Sequence, residues 1–277
     1  MATTRAATIA ATMAARRAMG QTDRVPRSAH ALLLCGLALA VPACNPRLNL
    51  GSSILWSARH ETGDLREWSE GGKGGTEADA PDTALAISTD YAHSGRYSVK
   101  LTNGAVSMYE DAHLWREDAY PAEAYYSAWF YLTRAYQTTD DWSIVEFQVP
   151  TVGDSGVIGQ LLDIDLRSLP DGDLILSVYD HRPAYLRSPT PDPAILVPVG
   201  QWFQIEAFYR NVNDDSGQFT VWMNGQLYYD LHRPFGSNST VYWTVCSKTE
   251  GLSPTESVIY IDDAAVSLTR VTPTGDI

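Results

Sequence analysis

Cysteine is scarce in this chain: three in 277 residues, Cys35, Cys44 and Cys246. Two of them fall in or beside an N-terminal leader, so the folded part keeps only Cys246 and no internal disulfide can form. A domain of about 220 residues does not need one, because it buries most of its chain's surface on folding. Positive charge is short too, with 20 Lys and Arg against 33 Asp and Glu and a net charge of −13. Residues 1–43 hold five Arg and one Asp, a charge of +4, which leaves −17 for the rest. That remainder has no run of Lys or Arg, and so acidic a surface repels nucleic acid and polyanions over a Debye length. No long 3.6-period apolar face with caps occurs, which excludes a helical architecture. The six histidines lack the spacing of zinc ligands, and no Gly-x-Ser-x-Gly, phosphate loop or dinucleotide fingerprint is present.

The leader is the first positive feature. Arg16, Arg17, Arg24 and Arg27 precede an apolar run, Ala31 to Val41, that is too short to span a bilayer. Val41-Pro42-Ala43-Cys44 resembles a bacterial lipobox, in which cleavage leaves a diacylated cysteine at Cys44. Pro42 is unusual there, so ordinary signal cleavage near Ala43 is the alternative, and Met19 is an alternative start. The expected organisation is a lipoprotein-type signal over 1–43, a tether over 44–53, one domain over 54–270 and a tail over 271–277. The protein is expected to be exported to a bacterial cell envelope on a lipid anchor, or secreted. Its only membrane contact would be that anchor, with no nucleic-acid partner and a monomeric state.

The domain reads as all-β. Strands recur about every ten residues with turn signals between them, the pattern of a sandwich or barrel. Trp202–Arg210, Phe219–Met223 and Gln226–Leu231 form a meander, with Asn224-Gly225 as a type I′ hairpin turn because both residues accept positive φ. Further strands are expected at Ala84–Thr89, Arg96–Leu101, Tyr125–Leu132, Ile144–Val149, Leu161–Leu166, Leu174–Tyr179, Val241–Val245 and Val258–Leu268. Gly71–Asp82 reads as a loop with little to bury. Arg182–Pro198, with five prolines, reads as a surface excursion.

Period-two alternation places Glu146 and Gln148 on one side of their strand, and Asp163, Asp165 and Arg167 on one side of the next. The following strand offers Ser177, Tyr179 and His181. Such a floor suits sugars: planar polar groups hold hydroxyls, and aromatic faces stack on the C–H side of a ring. The plainer reading, a solvated outer face of an antiparallel sheet, stands equally on these residues.

The order Gly200-x-Trp202, strand, polar turn, strand, Trp222-x-Asn224-Gly225, strand resembles the concanavalin A-like lectin and glucanase jelly rolls. It is most similar to the sandwich-fold polysaccharide lyases of the heparin lyase I and alginate lyase kind. The resemblance implies a jelly-roll sandwich of two antiparallel sheets with a concave cleft, and it favours the groove. In those lyases a Gln-x-His occupies the strand matching Glu146–Pro150; Gln148 matches the glutamine, and Pro150 stands where the histidine would be. Tyr242 matches the first tyrosine of their Tyr-Phe-Lys-x-Gly-x-Tyr strand, without the lysine, and their Arg-x-Glu strand has at best a remnant in Tyr109-Glu110. Tyr242 is therefore the candidate catalytic residue only in a lyase reading, with His181 or His113 as a substitute histidine. A glucanase-like carboxylate pair finds only Asp163-x-Asp165, without a third acid. The resemblance further implies a structural Ca²⁺ held by Glu61 and Asp64 of the opening Glu-x-Gly-Asp turn and by Asp262 and Asp263, since oxygen-rich turns suit a hard cation.

The expected function is binding of a polysaccharide or glycan in the concave groove without turnover. A divergent polysaccharide lyase acting by β-elimination, or a glycanase, is the alternative. A third reading is an envelope structural or adhesion protein, marked by a convex apolar patch. Exposed aromatic platforms at Tyr179, Tyr126 or Trp243 would mark the binding protein.

Overall fold

The computed structural model of the chain describes residues 53–80, 82–104, 110–139, 141–150, 158–181, 186–235, 240–249 and 251–272. The leader, Cys44 and Tyr109 lie outside these residues. The strands in chain order are β1 (Ile54–Ala58), β2 (Gly74–Ala78), β3 (Ala84–Ser88), β4 (Ser98–Asn103), β5 (Glu110–Asp118), β6 (Glu123–Leu132) and β7 (Gln137–Thr138). There follow β8 (Trp142–Pro150), β9 (Ile158–Ser168), β10 (Leu174–Asp180), β11 (Leu186–Arg187), β12 (Trp202–Arg210), β13 (Gln218–Met223) and β14 (Gln226–His232). The last are β15 (Val241–Thr249), β16 (Leu252–Ser253) and β17 (Ser257–Ser267), and the one described helical turn is a 3₁₀ segment, Glu70–Gly72.

Two large antiparallel sheets form the expected sandwich. One runs β14-β13-β12-β6-β17-β4-β3, with β1 also paired to β17; the other runs β11-β10-β9-β8-β15-β5-β2. β7 and β16 make a separate two-stranded ribbon. The meander is built as its sequence dictates: Asn224 and Gly225 take φ of 50° and 78°, and the turn closes on the pair Met223–Gln226.

Alternate residues of facing strands supply the core. From the seven-stranded sheet, Phe147 packs on Tyr126 and Phe219 of the other sheet with ring centroids 5.1 Å away in both cases. Trp243 packs on Tyr126 at 5.7 Å and on Trp68 and Trp56 at 5.9 and 6.1 Å. Removing one of these rings leaves a cavity the sheets cannot close, at a cost of about 3–5 kcal/mol. Tyr126 and Trp243 are thus core residues, 2% and 1% exposed, and neither is the sugar platform expected of it. Alternation accounts for this, because Val241, Trp243 and Val245 all point inward together.

Three further expectations are corrected. Gly71–Asp82 is not all loop: β2 pairs with β5 along the sheet edge. Its glycines explain why apolar patterning missed it, since a Cβ on Gly74 would overlap the Trp115 carbonyl and one on Gly75 would lie 2.7 Å from the Trp115 indole. β5 itself, nine residues long, was expected only as a remnant at Tyr109-Glu110. β15 continues past Val245 to Thr249, with a register shift against β8 between Val245 and Lys248; such a bulge breaks the alternation that marks a strand in sequence.

Candidate functional site

The outer face of the seven-stranded sheet gathers the polar residues. Cross-strand partners set the order from one edge: Glu77 of β2 lies opposite His113 of β5, which lies opposite Cys246 of β15. Thr244 and Tyr242 of β15 lie opposite Glu146 and Gln148 of β8. Beyond them Asp163 and Asp165 of β9 face Tyr179 and Ser177 of β10. Every substrate-binding residue expected from the sequence sits on these strands except His181, which directly follows β10, and Glu146, Gln148, Asp163 and Asp165 are buried to below 10% exposure.

The central feature is an ion pair. Lys248 Nζ lies 2.6 Å from Glu146 Oε1, while Gln148 donates its amide N–H to Glu146 Oε2 at 2.7 Å. Burial, opposed by the lysine, leaves the Glu146 carboxyl above its ordinary value. Burial alone would lower the Lys248 ammonium, but Glu146, Asp111 and Asp163 outweigh it and raise it. His181 Nε2 is hydrogen-bonded to Asp163 Oδ2 at 2.7 Å, so the Tyr179–His181 alternation places that histidine as expected. Ser143 donates to Asp165 at 2.8 Å, and burial first, then Asp163, pushes Asp165 well above the carboxylate range. Arg187 is paired with Asp141 and lies 4.9 Å over the Tyr179 ring. Arg167 reaches outward to the Thr190 hydroxyl at 3.1 Å.

β5 adds a second charged group, which sequence reasoning named only as a spare histidine. His113 Nδ1 contacts Asp111 Oδ2 at 3.1 Å, a charge contact and not an aligned hydrogen bond. Burial would lower His113, yet Asp111, Glu146 and Asp79 prevail and bring it up to about 9, so it is a cation at neutral pH. At the edge, burial and the neighbouring Asp111 and Glu77 raise Asp79 to about 6. Trp115 follows on the same face, its ring centroid 5.3 Å from that of His113. The missed signal was the alternation Asp111-x-His113-x-Trp115 against Ala112 and Leu114.

Three buried acceptors or hydroxyls on this face have no hydrogen-bond partner among the described residues: Asp111 Oδ1, Asp163 Oδ1 and Ser177 Oγ. They lie on three different strands. Cys246, by contrast, donates its thiol to the Ser143 carbonyl and is raised well above the usual thiol range by burial; it is a packing residue.

The residues expected to hold calcium stand elsewhere, at the opening turn and the β17 bulge. Glu61 Oε1 accepts from the backbone N–H groups of Arg96 and Tyr97. Asp262, fully buried, accepts from His60, the Asp263 N–H and the N–H groups of His93 and Ser94. Asp263 holds the Ser94 hydroxyl and His93. Asp64 is tied to Thr62 and the Arg66 N–H within its own turn. These carboxylates are taken up by protein donors in separate groups, and no cluster of three or more His, Cys, Asp or Glu fit to hold a metal is found among the described residues. The turn is also tied to the core through His60. Trp68 Nε1–H donates to His60 Nε2 at 3.0 Å, which leaves the His60 proton on Nδ1, toward Asp262.

No protein-family model matches the chain, and no curated protein matches it by sequence. Solved structures do. An endo-β-1,4-glucuronan lyase from the fungus Trichoderma reesei aligns over 80% of this chain and 100% of its own, with a TM-score of 0.61 and 15% identity. An alginate lyase solved as a double mutant in complex with alginate trisaccharide covers 78% of this chain and 98% of its own, with a TM-score of 0.56 and 13% identity. An alginate lyase from Aplysia kurodai covers 78% and 99%, with a TM-score of 0.54 and 13% identity. The chain therefore has the sandwich fold of these polysaccharide lyases.

Proposed function

We propose that this is an exported carbohydrate-binding protein that takes a neutral glycan chain across the outer face of its seven-stranded sheet. The carrying observation is the trio of buried groups without partners, Asp111 Oδ1, Asp163 Oδ1 and Ser177 Oγ. A buried acceptor without a donor is costly, and the hydroxyl groups of a sugar chain are donors of the right kind. Tyr179 and Trp115 flank the row as half-buried aromatic rings. The likeness to polysaccharide lyases supports a glycan ligand. Charge favours a neutral one: Lys248, His113, His181 and Arg187 each already lie against a carboxylate.

A second reading, β-elimination, is favoured by one observation. Tyr242 lies directly across from Gln148, with Lys248 further along the same strand. Elimination needs a base for the proton and a positive group free to meet the substrate carboxylate, and here the lysine is bound to Glu146.

The test is an array of neutral and uronic polysaccharides, each hit then incubated and watched for an unsaturated product absorbing in the ultraviolet. Binding of neutral glycans without product, weakened by Asp163→Asn, is expected. Cleavage of a uronate that disappears in Tyr242→Phe would establish the lyase. Lipid attachment at Cys44 belongs to the same proposal: labelled fatty acid should enter the protein and fail to enter Cys44→Ser.

A further inference from the structure

The eight-stranded sheet also has an outer face, and it is aromatic. Ile259 and Ile261 point into the core, so Tyr260 between them points out. It is joined there by Tyr131 of β6 and by Tyr91 of the turn before β4. Tyr91 stacks on Tyr131 with centroids 4.3 Å apart and meets Tyr260 edge-on at 5.0 Å, while its own ring remains 39% exposed. Beside this cluster is an open recess of about 490 Å³ lined by Asp90, Tyr91, Lys100, Thr133, Val258 and Tyr260. Its size falls within the about 300–1,000 Å³ of small-ligand clefts.

Two charged groups border it. Tyr260 donates its hydroxyl to Asp90 Oδ2 at 3.0 Å, and Lys100 Nζ stands 4.0 Å from the same oxygen and 5.9 Å from the Tyr260 ring centroid. The carboxylate and the ammonium cancel in charge, which disfavours a phosphate or a polyanion. A half-exposed ring beside a carboxylate, an ammonium and a threonine matches the two sides of a pyranose, with C–H groups on one and hydroxyls on the other.

We propose that this recess is a second glycan-binding site, taking one or two sugar units of a neutral polysaccharide on the sheet opposite the first site. It rests on its own residues and not on the reading of the polar face. Two sites on opposite sheets would let one molecule hold two chains, with a gain in avidity on an insoluble polysaccharide over a soluble oligosaccharide.

Calorimetric titration with the neutral β-1,4-linked hexasaccharides of glucose, xylose and mannose tests it, on the full folded domain and two variants. Tyr91→Ala removes a half-exposed ring and leaves the Tyr91 carbonyl that accepts from Ser98; Asp163→Asn alters the other face. The expected result is two sites per molecule, one weakened about tenfold by Tyr91→Ala and untouched by Asp163→Asn. Lys100→Met should weaken that same site. Binding unchanged in both Tyr91→Ala and Lys100→Met overturns the second site while leaving the first intact. Binding sensitive only to these two variants upholds it and sinks the other. No binding by the native protein to any of the three overturns it as well.

Discussion

Lys248→Met is the sharpest perturbation of the polar face, because it removes one half of a buried pair. Glu146 is 2% exposed and has its two oxygens committed, one to Lys248 at 2.6 Å and one to Gln148 at 2.7 Å. Without the ammonium, a carboxylate stays buried with only an amide donor, and breaking such a pair costs about 3–5 kcal/mol. For a domain of this size that is about 6–20 °C in Tm. The effect has a pH signature. Burial already holds the Glu146 carboxyl above its ordinary 4.5 with the lysine present, and losing Lys248 raises it further. A carboxyl that binds its proton more tightly when folded favours the folded state below its unfolded pKa, and that benefit is lost as pH rises through the folded value. The variant should therefore lose least near pH 4.5 and progressively more toward pH 8. Thermal and urea unfolding of Lys248→Met, Glu146→Gln and the double variant, across that range, reads all of this. The double variant should recover most of the loss, since no uncompensated charge is left. If each single change costs under about 1 kcal/mol and the two simply add, the pair is no buried ion pair and the charge argument for this face fails.

Three more outcomes are expected. His113, raised to about 9 from 6.5, contributes stability that is complete below about pH 6.5 and disappears as pH rises through about 9; a histidine-resolved NMR titration should find it, and a value near 6.5 would refute the Asp111 contact. Cys246 is fully buried with a raised thiol, so labelling by a thiol reagent should proceed only as fast as the domain unfolds; rapid labelling of the native protein would contradict its placement. Calcium at Glu61, Asp64, Asp262 and Asp263 would have to displace the N–H donors those carboxylates now hold. Tm is expected to be the same in chelator and in millimolar calcium, and a rise with calcium, following its mass-action dependence, would show that these turns rearrange around the ion.

Strand-level legibility followed apolar alternation. β12, β13, β14, β6 and β17 are rich in aromatic or β-branched residues with polar turns between them, and each was readable to within a residue or two despite the bulges in β13 and β17. β2 and β5 were not, for opposite reasons: β2 is glycine and polar residues at a sheet edge, held by close approach to Trp115, and β5 alternates with charged residues on its outer side, which mimics a solvated turn. The polar floor was readable where one strand carried two acids, as at Asp163 and Asp165. It was not where the partner came from far along the chain. Nothing local links Lys248 to Glu146, 102 residues earlier, and the bulge that brings them together interrupts the very period used to find such faces. The opening Glu-x-Gly-Asp turn shows a different limit: its acids were visible in the sequence, but the backbone N–H groups that Glu61 and Asp64 accept from were not.

Whether this face could eliminate across a uronate turns on charge, since β15 and β8 already set Tyr242 directly across from Gln148. To eliminate across a uronate, a site must hold a cation whose field is directed at the incoming carboxylate and not already spent. In this chain Glu146 takes up that field at Lys248 and Asp111 at His113, and His181 is hydrogen-bonded to Asp163. Two of these pairings, those of Asp111 and Asp163, also leave a buried carboxylate oxygen without a donor, a group that repels an anion and can accept from a hydroxyl. Residues 44–277, which carry −17, add the same bias at long range. Local pairing and overall charge thus act in the same direction, against an anionic ligand at this face.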